Sequence, residues 1–262
     1  MVVTFWPHPR TVLQDEARSL RLLNTLNEKK ALIESCGVDK IEVMPFNKEF
    51  SCLSAEDFFK TYIIGLFGGT AIILGYDNRM GGDEGDTEDI SEIAKKCGLE
   101  VIRAGKINNP SGEAISSTKI RKLISEGEVE AASNMLGYDY SLHGVVVVGK
   151  QLGRTIGFPT ANMQLYEPLK QIPCNGVYFV KAETLGGTFY GMCNIGVRPT
   201  VDSGGAVTIE TNIFDFNEDI YGLDLIISFI SKIREERCFD SIDALQSQLS
   251  KDKEACIGLF RK

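Results

Sequence analysis

GRTIGFPTAN, Gly153–Asn162, is the stretch from which the rest of the chain is read. It brings Gly153, Gly157, a Phe158-Pro159 step, Thr160 and Asn162 into one short segment. Glycines let backbone N–H groups approach anionic oxygens, and small polar side chains offer hard oxygen ligands to a metal, so the segment suits a phosphate site. Just upstream, Lys150 follows Gly149, but neither Ser nor Thr comes next, and the common G-x-x-x-x-G-K-[ST] nucleotide loop is excluded.

Downstream, strand-like runs crowd together: Val145–Val148, Val177–Lys181, Phe189–Asn194, Ala206–Phe214 and Leu223–Ile230. Leu223, Leu225, Ile227 and Phe229 alternate with less apolar neighbours, as a half-buried strand requires. Closely spaced strands separated by turn-rich pieces predict a small antiparallel barrel. A terminal helix follows, with Ser241 near its start and Ile242, Leu245 and Leu249 on one face. In AVTIETNIFDF, Val207, Ile209 and Ile213 share one parity, and Thr208, Glu210 and Asn212 the other. Glu210 therefore projects away from the apolar set and is the candidate general base.

Upstream, the pattern alternates strands and helices. VVTF (Val2–Phe5), IEVMPF (Ile41–Phe46), AIILGY (Ala71–Tyr76) and LEVIRA (Leu99–Ala104) read as strands, AIILGY as a buried parallel one. Between them lie three helical patterns. One carries Leu22, Leu23, Leu26 and Ile33 and stops at Gly37; one is capped by Ser54 and carries Phe58, Phe59, Tyr62, Ile63 and Leu66; one spans about Glu88 to Cys97. This predicts a doubly wound α/β domain over 1–138, followed by the barrel domain over 139–262. Asp77 follows AIILGY, where open α/β sheets usually contact ligands. In ISSTKIR, Ser116, Ser117 and Thr118 fall at a helix N-terminus that favours phosphate, with Arg121 one turn inside.

Composition narrows the function classes. A net charge of −8 disfavours extended binding to nucleic acid. No apolar run is long enough to span a bilayer, and no signal peptide precedes VVTF, so a cytoplasmic protein is expected. Seven cysteines occur without a C-x-x-C pair, which points to reduced thiols rather than a disulfide framework or a zinc site.

The motifs together resemble a known family. The second half is similar to the riboflavin kinase domain in GxxxGRxxGFPTAN (Gly149–Asn162), PxxGVY (Pro173–Tyr178), YGMCNIGVRPT (Tyr190–Thr200), IETNIFDF (Ile209–Phe216), IYG (Ile220–Gly222) and IREERCF (Ile233–Phe239). The first half resembles the Rossmann-like adenylyltransferase module fused to this kinase in bacterial bifunctional riboflavin kinase/FAD synthetases, through TFWPHP, GYDNRMG and ISSTKIR. This resemblance implies small-molecule partners, riboflavin, ATP and FMN, with Mg²⁺ accompanying ATP. It implies that Thr160 and Asn162 bind the metal–ATP complex and that Glu210 accepts the proton of the 5′-hydroxyl of riboflavin. Gly149, Lys150, Gly153, Arg154 and Gly157 would shape a flap over the nucleotide, with Arg234 near the reaction. Asp77, Ser116, Ser117, Thr118 and Arg121 would serve the adenylyltransferase. That family carries an HxGH signature, which is absent here; the only histidines are His8 and His143. The expectation is a truncated adenylyltransferase domain with Met1 an internal methionine, impaired FAD synthesis and intact kinase chemistry. The alternatives are full bifunctionality and a non-catalytic flavin-nucleotide-binding module.

Overall fold

The computed structural model describes residues 1–13, 20–75, 89–109, 112–149, 151–198 and 206–260. Asp77 and Lys150 lie outside the described residues. The chain divides into two compact units, Met1–Leu20 with Leu26–Ala114, and Arg21–Thr25 with Ile115–Lys262.

In chain order, the first unit holds β1 (Val2–Trp6), α1 (Pro9–Leu13), α2 (Leu26–Ser35), β2 (Ile41–Pro45), α3 (Lys48–Ser51) and α4 (Ala55–Phe58). It continues with a π-helix (Phe59–Leu66), β3 (Ala71–Leu74), α5 (Ile90–Lys96) and β4 (Glu100–Arg103). β1 pairs with β2 and β3 with β4, both in parallel. Parallel neighbours need a crossover, which the intervening helices supply. The helix starts are locally encoded: Ser54 Oγ accepts the Asp57 N–H at 3.0 Å, and Asp89 Oδ1 accepts the Ser91 N–H at 3.0 Å. Met44, Phe58, Phe59, Ile63, Leu74, Ile90 and Leu99 form the core.

Three expectations change here. The run from Ser54 to Leu66 is not one α-helix, since a single α-turn gives way to the π-helix. Only Leu74 of β3 is buried, and Ile73 is 68% exposed. Leu22 and Leu23 do not join α2. Leu22 instead bridges Lys170 in the second unit, where its N–H donates to the Leu169 carbonyl at 2.7 Å. A distant backbone partner overrides the helical periodicity.

The second unit begins with α6 (Ser117–Glu126) and α7 (Val129–Leu136). It continues with β5 (Ser141–Val147), α8 (Leu152–Thr155), β6 (Ala161–Leu165), β7 (Gly176–Thr184), β8 (Gly187–Arg198), β9 (Ala206–Ile213), β10 (Asp224–Arg234) and α9 (Ile242–Phe260). The six strands close in the order β10-β5-β6-β9-β8-β7, and every neighbouring pair is antiparallel. Leu142, Val146, Tyr178, Val180, Cys193, Ile195, Ile209, Leu225, Ile227 and Phe229 fill the interior, extended by Ile120, Ile124 and Val129 from the helices. Alternation leaves Val177, Phe179 and Met192 on the outer face, where Leu249 and Cys256 of α9 join the same apolar cluster.

Rossmann-like parallel strands, a closed antiparallel barrel and a C-terminal helix are thus the fold class read from the sequence. β6 was not anticipated. Among the described residues no helix is long and apolar enough to cross a membrane.

Candidate active site

The site is built on the outer face of β9. Ile209, Thr211 and Ile213 are buried in the odd positions, which leaves Glu210 and Asn212 on the even face. In register, Glu210 lies opposite Asn162 of β6 on one side and Asn194 of β8 on the other. The closed barrel therefore brings the end of GRTIGFPTAN beside the candidate base. A cavity of about 230 Å³ opens here, lined by Ile156, Phe158, Thr160, Val177, Met192, Asn194, Glu210, Asn212, Arg234, Phe239, Leu245 and Leu249 among others. Its walls are largely apolar, with Glu210, Thr160, the amides of Asn194 and Asn212, and the charged side chains of Arg234, Glu236 and Arg237 as polar features.

The glycine-rich segment is held by close contacts. A Cβ on Gly149 would fall 2.3 Å from the side-chain nitrogen of Asn162, so only glycine allows that approach. A Cβ on Gly153 would fall 2.2 Å from the Phe158 carbonyl oxygen. Instead, the Phe158 N–H donates to the Gly153 carbonyl at 2.8 Å. Gly157 sits at φ +79°, the left-handed region that favours glycine. Asn212 Nδ2 donates to the Pro159 carbonyl at 2.7 Å, which fixes the turn carrying Thr160 to β9.

A second cavity, about 380 Å³, lies on the other side of that turn and is lined by Arg154, Pro159, Thr160, Phe216, Asp219 and Tyr221 among others. Thr160 lines both cavities. Arg154 is exposed, so it can follow an anion at the cavity mouth.

Arg234 lines the first cavity from the end of β10. Two register shifts, between Phe229 and Ser231 and between Lys232 and Arg234, set it opposite Val177 on the outer face. Its Nε lies 3.0 Å from both Asp252 oxygens, and Nη2 donates to Asp252 Oδ2 at 2.8 Å. Burial pushes the thiol of Cys193, inside the barrel, up to about 12. Burial and then the Asp252 charge push Cys256 up to about 12. Both thiols are therefore neutral packing groups at ordinary pH.

The candidate residues of the first half are placed elsewhere. Ser116 caps α6, its Oγ accepting the Lys119 N–H at 3.3 Å, while Ser117 and Thr118 are exposed. Arg121 Nε donates to the Arg21 carbonyl at 2.7 Å. None of the four lines either barrel cavity. His8 immediately precedes α1, with Nδ1 accepting the Arg10 N–H at 3.2 Å and its carbonyl the Thr11 N–H at 2.8 Å.

Asn212 and Asp252 escaped the sequence reading as site residues. Asn212 shares Glu210's parity, a signal that was present. Asp252 follows Leu245 and Leu249 at helical spacing and precedes Cys256, so it falls on the apolar stripe of α9, an unusual place for a charge.

The riboflavin kinase family matches residues 136–260, and the FAD synthetase family matches residues 1–119. The bifunctional riboflavin kinase/FMN adenylyltransferase of Bacillus subtilis (strain 168) is 38% identical over 99% of this chain and 82% of its own length. Its counterpart in Escherichia coli (strain K12) is 33% identical over 97% of this chain and 80% of its own length. A solved structure described as a macrolide-efflux protein from Streptococcus pneumoniae superposes with a TM-score of 0.87 at 34% identity, covering 97% of this chain and 82% of that one. Both family matches and the curated relatives point the same way: the chain belongs to the bifunctional riboflavin kinase/FMN adenylyltransferase family.

Proposed function

We propose that the barrel unit phosphorylates riboflavin to FMN with ATP. The observation that carries this reading is that Thr160 lines two cavities of different character, with Glu210 on the more apolar side. An isoalloxazine suits walls built from Phe158, Val177, Met192, Phe239 and Leu249. A nucleotide suits the polar cavity that holds Arg154, Phe216 and Tyr221. Their shared wall is where a terminal phosphate would meet the 5′-hydroxyl.

In this mechanism Glu210 accepts the proton of the 5′-hydroxyl as its oxygen bonds to the γ-phosphorus, and the bond to ADP breaks. Asn212 and Gly153 keep the Thr160 turn in place, so that alignment costs little at the moment of transfer. Thr160 and Asn162 offer neutral hard oxygens, and the missing side chain at Gly149 leaves room around the Asn162 amide. That donor set fits Mg²⁺, which keeps waters and shares phosphate oxygens, and which would supply charge neutralisation there. Gly149, Lys150 and Arg154 are assigned to the nucleotide flap, and Arg234 to the border of the flavin cavity.

A second reading concerns the first half of the sequence. The FAD synthetase match over residues 1–119 and the parallel strands support an FMN adenylyltransferase module. Neither the fold nor the relatives give support to the impairment expected from the missing HxGH, and they favour the bifunctional alternative. We place the boundary between the modules at 138/139, with Asp77, Ser116, Ser117, Thr118 and Arg121 assigned to the adenylyltransferase side. Incubation with riboflavin, ATP and Mg²⁺, followed by chromatography, tests both: FMN reports the kinase, and FAD formed from supplied FMN reports the module. A folded chain that makes no FMN would refute the kinase reading.

A further inference from the structure

We propose that Asp252 is a positioning residue of the flavin cavity, acting through Arg234; the proposal rests on the kinase reading. Leu245, Leu249, Asp252 and Cys256 repeat at helical spacing along α9. Leu245 and Leu249 form part of the cavity wall, and Asp252, on the same stripe, is 2% exposed. Its carboxylate takes Arg234 Nε at 3.0 Å and Nη2 at 2.8 Å, together with Gln248 Nε2 at 2.7 Å. The Arg234 side chain is itself only 18% exposed.

A buried ion pair is a poor device for adhesion alone, because desolvation offsets most of the attraction and an apolar pair often docks as well. It differs from leucine in having a direction. A guanidinium gripping a carboxylate through Nε and Nη2 fixes the rotation and depth of the helix turn that carries it. Arg234 is fixed from the other side as well, since Nη1 donates to the Glu235 carbonyl at 2.9 Å. The guanidinium carbon also lies 5.8 Å from the Phe239 ring centroid. The pair therefore joins the end of β10, Phe239 and α9, three elements that border the flavin cavity and not the nucleotide cavity. Its loss should loosen the flavin wall while the Thr160 turn, held by Asn212 and Gly153, keeps its shape.

The test uses the full chain with Asp252→Asn, which keeps volume, and Asp252→Leu, which keeps the apolar stripe. Riboflavin affinity is read by fluorescence titration without ATP, and the KM for ATP from FMN formation. The expected result is riboflavin binding weakened about ten-fold to a hundred-fold, with the KM for ATP within about two-fold of the parent. Parent-like riboflavin affinity in either folded variant would overturn the proposal, and so would an equal rise in both constants, which marks a general packing role. Because the titration needs no turnover, absence of FMN from the parent chain would sink the kinase reading separately.

Discussion

The barrel and the parallel-stranded unit carry their motifs in different ways. In the barrel, residues from segments far apart in sequence, Asn162, Asn194 and Glu210, stand side by side in register because closure leaves each strand one position. In the first unit, two strand pairs are described separately, and β3 buries only Leu74. Of the candidate residues assigned to the adenylyltransferase, Asp77 lies outside the described residues. Ser116, Ser117, Thr118 and Arg121 fall in the second unit at α6, away from the barrel strands, where they are exposed, cap the helix or contact backbone. A closed sheet thus turns a sequence motif into a site, whereas a motif on helix ends and loops gains its meaning from whatever ligand arrives.

The strongest way to break this contrast is Glu210→Gln. FMN formation should fall by about 10²–10⁴-fold, the range for a lost general base, while riboflavin binding persists. Unchanged turnover would remove Glu210 from the chemistry and leave the barrel with a binding site only. Gly149→Ala sharpens the comparison next. Its methyl would overlap the Asn162 amide, and kcat/KM for ATP should drop by about 10²-fold. FAD formation from supplied FMN should not change; a matching loss there would mean that the flap residues serve both reactions.

Thiol burial gives a pH test confined to the barrel. Cys193 has its pKa raised from 9.0 to about 12 in the folded state. The protonated form is favoured by folding, so this contribution is fully present below about pH 9 and is lost as pH rises towards 12. Urea unfolding across that window should show falling stability, with a shallower fall in Cys193→Ala. Equal slopes would deny that the interior is closed to hydroxide. The smallest effect concerns Ser116→Ala, which should cost about 1 kcal/mol through the lost cap. FMN formation should be untouched. A selective loss of FAD formation beyond that cost would restore a phosphate role to the α6 N-terminus.

Much of the barrel was legible because its signals are local. Alternating parity fixed the outward face of Glu210, whereas the glycines of Gly149–Asn162, read as openings for phosphate, are used within the fold for close approach to the Asn162 side chain and the Phe158 carbonyl. β6 was hidden because Ala161–Leu165 is short and follows directly on the Phe-Pro turn. The placement of Leu22 could not be read locally, since its partner Lys170 lies far along the chain. Asp252 was visible as a charge on an apolar stripe, but its partner was not, because Arg234 reaches it only after β10 has passed through two register shifts.

The most direct measurement of the central claim is a paired assay of the parent chain and Glu210→Gln. Each is supplied with riboflavin, ATP and Mg²⁺, with FMN and ADP quantified and riboflavin binding titrated in parallel. The account predicts equimolar FMN and ADP from the parent, and from the variant riboflavin binding with almost no FMN. A folded parent that binds riboflavin but forms no FMN, or a variant that forms it at the parent rate, would contradict it.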